Sequence, residues 1–209
     1  MRAQPCNAED QRSPRQGAAA RQKPAVECFG NTPHHRIYIG EVFASSAPTV
    51  IQTLLGSCIA VCLRDPVTRA GGMNHILLPS SSKGDHGTRF GVNAMELLIN
   101  ETMKQGAYRS RLEAKVFGAA NVMSVLQRST VGAMNASFIR DFLATEHIPL
   151  VAQRLGGTQA LQVSFCTSSG RTLVRSVDGS RLKKVVEEER SYRVSHRGEE
   201  DRTGEITLF

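Results

Sequence analysis

This sequence predicts a mixed α and β fold: a single domain of the α+β class, with mixed β-sheets layered as a sandwich and helices flanking them. Three observations carry that expectation. Short runs rich in Ile, Val and Leu, bounded by Gly, Pro, Asp and Ser, occur singly and in pairs that read as hairpins. Two stretches, Val92 to Lys104 and about Ala136 to Thr145, carry apolar residues at helical spacing. Strands and helices do not alternate in a regular βαβ winding, which separates the chain from the parallel, doubly wound class.

The chain divides by composition. Residues 1 to 35 form a basic tail rich in Arg, Gln, Ala and Pro, with neither helical nor strand period, and are expected to be disordered. Residues 36 to 178 hold the apolar runs, and residues 179 to 209 form a charged C-terminal tail whose stretch from Arg181 onward is placed outside the core. The net charge is +7, and much of the excess lies in the N-terminal segment. There is no Trp and no nucleic-acid motif, so a nucleic-acid partner is not expected. No run approaches the roughly 18 apolar residues of a membrane span, and the first thirty residues lack a secretory apolar stretch. A cytoplasmic protein, not embedded in a membrane, is the expectation. The 5 cysteines make no disulfide framework, so reduced thiols are expected. His34 and His35 have no Cys or carboxylate at ligand spacing and read as solvated side chains.

In chain order, Ile37 to Ile39 and Val42 to Phe43 are short apolar runs, and Thr49 to Leu55 is a strand. Gly56 and Ser57 interrupt it before Cys58, where a glycine marks a bulge or a close backbone approach, and the small Ser57 leaves the thiol accessible. The stretch Leu54 to Pro79 reads as two apolar runs joined as a hairpin by a link from Asp65 to Gly72, with its turn over Asp65 to Thr68. Asp and Pro suit a type I turn there, with Pro66 and Val67 at its centre. That register sets Cys58 directly opposite His75 on one face. Ser80 to Phe90 is polar and predicts a loop, in which His86 is a weaker rival to His75 as a base. Ala114 to Phe117 is a strand, Val122 to Gln127 one or two helical turns, and Asn135 a plausible cap for the second helix. Pro149 to Arg154 is a strand, and Leu161 to Cys166 with Thr172 to Val177 a further hairpin.

Cys58, Cys62 and His75 raise two chemistries. Zinc is disfavoured, because residues four apart on a strand are separated by about 13 Å at roughly 3.3 Å per residue. Cys62 reads as a small buried hydrophobe. A nucleophilic Cys58 served by His75 fits the spacing, since an imidazole can take the thiol proton and later protonate a leaving group. A Cys beside a His packed in a sheet fits it as well, and spacing alone leaves both open.

The segments LLGSC, GGMNHILLP, EAKVFGAANV, VGAMN, IPLVAQRLGG and TLVRSV, in that order over about residues 36 to 178, resemble the chemoreceptor glutamine deamidase family, CheD. The resemblance implies a cysteine hydrolase that converts selected glutamines of methyl-accepting chemotaxis receptors to glutamate and releases ammonia, a protein-glutamine glutaminase needing no cofactor and no metal. It implies a Cys, His and Thr triad carried over to Cys58, His75 and Thr53, with backbone N–H groups around Ser57 and Cys58 as an oxyanion site. It implies the receptors as substrate and a CheC-like phosphatase as a possible partner. The alternative function is a non-catalytic chemotaxis adaptor that docks such a phosphatase or a receptor.

Overall fold

Two strands buried on both faces set the centre of the fold. The computed structural model describes residues 29–78, 86–122, 131–177 and 179–196. Its strands are β1 (His34–Arg36), β2 (Val42–Ser45), β3 (Val50–Leu55), β4 (Ile59–Arg64), β5 (Gly71–Ile76), β6 (Glu113–Gly118), β7 (Leu150–Leu155), β8 (Ala160–Cys166) and β9 (Thr172–Val177). Its helices are α1 (His86–Lys104), α2 (Val131–Thr145) and α3 (Gly179–His196), with a 3-10 turn at Arg109–Arg111. One sheet has the order β1-β3-β8-β9 and the other β2-β5-β4-β6-β7. Each mixes parallel and antiparallel pairs, since β1 runs parallel to β3 and β7 parallel to β6. The α+β sandwich expected from the sequence is the one observed.

The apolar residues sort into two layers. Ile59, Val61, Leu63 and Ile76 on one face of the five-stranded sheet pack under Met95, Leu98 and Ile99 of α1 and Ile139, Phe142 and Leu143 of α2. The other face presents Cys58, Ala60, Cys62, Met73 and Leu77 to Ile51, Leu55, Val163 and Phe165 of the four-stranded sheet. Because β4 and β5 lie in the middle layer, both faces are apolar, which is why they read as unbroken runs rather than alternating ones.

The β4–β5 turn differs from the expected one. Asp65 pairs with Ala70 through an N–H to carbonyl bond of 2.9 Å, and Arg69 N–H bonds back to the Asp65 carbonyl at 2.8 Å, with Arg69 at φ 65. The loop is thus Pro66 to Arg69 instead of Pro66 and Val67 alone, and His75 faces Ala60, two residues beyond Cys58. The even shift keeps Cys58 and His75 on one face as diagonal neighbours. Asp65 does bond back to the backbone, accepting from Val67 and Thr68 N–H at 2.8 and 3.3 Å. Its buried carboxylate also takes Arg111 Nε and Nη2 and the Tyr108 N–H at 2.7–3.1 Å. Burial alone raises its pKa, but the bonds from Arg111, Tyr108, Val67 and Thr68 outweigh it and hold the carboxyl well below the usual range.

Two other boundaries move. The first helix begins at His86, so His86 opens α1 instead of lying in a loop; residues 79–85 lie outside the described residues. The second helix begins at Val131, which places Asn135 inside α2 and not at its cap. The turns expected at Val122 to Gln127 fall largely outside the described residues. Cys58 and Cys62 are free thiols, whereas Cys166 is disulfide-bonded, against the expectation of reduced cysteines throughout.

Candidate active site

Gly56, Ser57 and Cys58 form the short link by which the chain leaves β3 in one sheet and starts β4 in the other. All three carbonyls of that link are held. Gly56 O accepts from Ala120 N–H at 2.8 Å and Cys58 O from Ala119 N–H at 2.7 Å. Ser57 O accepts from the Asn135 side-chain amide at 2.9 Å, whose own oxygen accepts the Leu78 N–H at 3.0 Å. With the carbonyls tied to β6 and α2, the Cys58 N–H is left to turn the other way, toward whatever approaches the thiol. Gly118 makes the close approach possible: its φ of +112 and the contact an added Cβ would make with the Cys58 carbonyl both require glycine.

Thr53 and His75 meet across the sandwich. Thr53 follows Ile51 and precedes Leu55 on the inward face of β3, and His75 stands between Met73 and Leu77 on β5. The Thr53 hydroxyl donates to the Ile37 carbonyl at 2.9 Å and lies 2.8 Å from His75 Nδ1. With its single proton committed to Ile37, Thr53 accepts from Nδ1–H, and the network assigns the tautomer that leaves a lone pair on Nε2. Nε2 is buried and has no hydrogen-bond partner among the described residues. Burial pushes the imidazole pKa down to about 3, so the ring is neutral and Nε2 is a proton acceptor.

One site residue was not legible from motifs. The Glu189 carboxylate of α3 accepts from Ser57 Oγ at 2.8 Å, from the Cys58 N–H at 3.2 Å and from the Cys58 thiol at 3.0 Å. Val185 and Glu189 are buried, so this part of α3 packs on the domain instead of lying outside its core. The expected accessibility of Cys58 fails for the same reason, since the thiol is fully buried. The only signal was a spacing: Val185, Glu189 and Tyr192 fall at i, i+4 and i+7 on one helical face.

The remaining candidates are not part of this cluster. The Cys62 thiol is buried and its pKa is raised by desolvation, against a smaller opposing pull from Lys115, which makes it inert. His35 stacks on the Phe43 ring at 3.8 Å between centroids. The His86 side chain lies outside the described residues.

The sequence profile described as CheD chemotactic sensory transduction matches residues 77–176. A relative from Chromobacterium violaceum, named "Probable chemoreceptor glutamine deamidase CheD 2", is 44% identical over 180 residues, which is 83% of this chain and 89% of the relative. This chain belongs to the CheD family. CheD relatives from Xanthomonas euvesicatoria and Stenotrophomonas maltophilia, each named "Probable chemoreceptor glutamine deamidase CheD", are 45% and 44% identical over 162 residues, covering 77% of this chain and 81% of each relative. The profile match begins at Leu77, so Thr53, Cys58 and His75 precede the CheD segment it covers. A crystal structure of the Bacillus licheniformis hypothetical protein YfiH aligns at TM-score 0.38 and 14% identity, over 69% of this chain and 57% of that one, too loosely to bear on the CheD fold. Among the described residues no helix is long and apolar enough to cross a membrane.

Proposed function

We propose that this chain is a protein-glutamine deamidase of chemoreceptors, with Cys58 as nucleophile, His75 as proton carrier and Thr53 as the residue that orients His75. The observation that carries the reading is the buried, unpartnered Nε2 of a neutral histidine whose other nitrogen is fixed by Thr53, on the sheet face that also bears Cys58. A buried polar atom without a partner costs stability, and a proton-transfer role is a physical reason to keep one. Kinship with relatives named as chemoreceptor glutamine deamidases supplies the substrate class.

In the proposed reaction the Cys58 sulfur attacks the side-chain amide carbon of a receptor glutamine while Nε2 takes the thiol proton. The Cys58 N–H faces the developing oxyanion. The imidazolium then gives its proton to the departing nitrogen, ammonia leaves, and a thioester remains. Water, deprotonated by Nε2, adds to the thioester, and glutamate and the free thiol are released. A neutral resting imidazole suits this sequence, because it must accept a proton before it can donate one. The receptor is the protein partner, the reaction belongs in the cytoplasm, and family resemblance extends the proposal to a CheC-like phosphatase as a second partner.

The test is ammonia release from a purified receptor cytoplasmic fragment. Wild-type protein is expected to release it, and folded Cys58→Ala and His75→Ala variants are not. Release by Cys58→Ala at the wild-type rate rejects Cys58 as the nucleophile, and a wild-type protein that releases no ammonia leaves the adaptor reading in its place.

A further inference from the structure

The thiol and the imidazole are 0% and 3% exposed, and Ser57 is 4% exposed, although the proposed substrate is a side chain on another protein. Glu189 of α3 lies directly against Ser57 and Cys58. We propose that α3 is an internal surrogate of the substrate helix: the Glu189 carboxylate occupies the place of the product glutamate, and a receptor helix must displace α3 to present its glutamine. This rests on the deamidase reading above.

The contacts of Glu189 are those the reaction product would make. Its Oε1 takes the Cys58 N–H, the donor assigned to the oxyanion, and the same oxygen lies against the Cys58 sulfur, so the carboxyl carbon is one bond from an atom touching the nucleophile. Its Oε2 takes the Ser57 hydroxyl, where the leaving nitrogen of an amide would lie. The Cys58 thiol donates to this carboxyl group and is engaged by it at 3.0 Å. The occupied site is therefore at rest.

The surface below α3 is shaped for a helix. An added Cβ on Gly56 would come within 2.7 Å of Glu189 Oε1 and 3.1 Å of Val185 Cγ1, and one on Gly40 within 3.3 Å of the Tyr192 ring. Gly40 adjoins the site through its N–H bond to the His75 carbonyl at 2.8 Å. Bare backbone thus meets the helix on either side of the buried carboxylate. The groove accordingly selects a helix with a compact apolar residue four positions before the reacting glutamine and an aromatic one three positions after it.

Glu189→Gln converts the surrogate into a substrate. Cys58 would add to its amide carbon, His75 would protonate the departing ammonia, and water would restore Glu189 and the thiol. The experiment compares full-length Glu189→Gln with Glu189→Gln/Cys58→Ala by peptide mass at position 189. It also compares wild type with Glu189→Ala in turnover of a receptor fragment. The expected results are the acid at position 189 when Cys58 is present and the amide when it is absent, with kcat/KM for Glu189→Ala raised by about fivefold or more, since apparent affinity scales with the open fraction. A Glu189→Gln enzyme that deamidates receptor but keeps its own amide at position 189, or a Glu189→Ala variant no faster than wild type, overturns the surrogate while the deamidase reading stands. Failure of the wild type to deamidate receptor removes both.

Discussion

Replacing Thr53 with Val tests the orientation of His75 with almost no change in shape. The methyl that takes the place of Oγ1 leaves two buried groups without partners, the Ile37 carbonyl and His75 Nδ1–H, which now lie 2.9 and 2.8 Å from that oxygen. An orphaned buried polar group costs about 1–3 kcal/mol, so the variant with two of them is expected to lose about 2–6 kcal/mol of stability. The ring also loses its reason to prefer one tautomer and one orientation. If about 1.4–2.7 kcal/mol of that preference is lost, kcat falls about 10- to 100-fold, since each 1.36 kcal/mol is tenfold in rate. KM should change little, because Thr53 lies behind the histidine and away from substrate. Thr53→Ser keeps the hydroxyl, vacates one methyl, and is expected to retain kcat within about threefold at a stability cost on the order of 1 kcal/mol. The assay is steady-state ammonia release from a receptor fragment with kcat and KM resolved, alongside urea unfolding. A folded Thr53→Val enzyme with wild-type kcat, or a Thr53→Ser enzyme as impaired as Thr53→Val, refutes the orienting role.

The same geometry makes three more predictions. His75 takes up a proton in the unfolded chain near its ordinary 6.5 but in the folded chain only near 3, so folding stability should fall as pH drops through that window, by about 1.4 kcal/mol per unit from this group. Urea unfolding across the window should show that slope reduced in His75→Gln; equal slopes contradict it. Asn135→Ala frees the Ser57 carbonyl and the Leu78 N–H, and is expected to cost about 2–6 kcal/mol and to lower kcat by loosening the Cys58 link, measured by unfolding and turnover together. Asp65→Ala removes the anchor of the β4–β5 turn and is expected to destabilise by about 3 kcal/mol in urea unfolding, with kcat retained in the folded fraction.

The candidate site was legible through the hairpin spacing and the family motifs, and the structure shows that two of its residues also break local patterns. A threonine between Ile51 and Leu55 at strand period, and a histidine between Met73 and Leu77, are polar residues at inward positions, where an apolar one would cost less. Family motifs assigned these positions roles before their contacts could be seen. The register was not legible: Asp65 and Pro66 suit the first residues of two different loops, and only Arg69 in the left-handed region distinguishes them. Asn135 looked like a helix cap because Asn favours caps, while its actual partners lie 78 and 57 residues away in sequence. Glu189 was hidden by composition, since a single buried carboxylate in a charge-balanced segment resembles its solvated neighbours until the helix is seen against Gly56.

Cys58 is proposed to perform amide-to-acid chemistry on receptor glutamines. High-resolution mass spectra of a receptor cytoplasmic fragment, after incubation with wild-type and Cys58→Ala protein, address it most directly. The predicted result is a gain of about one mass unit at discrete glutamines with the wild type and none with the variant, as thiol attack on an amide requires. An unchanged receptor, or the same gain with Cys58→Ala, contradicts it.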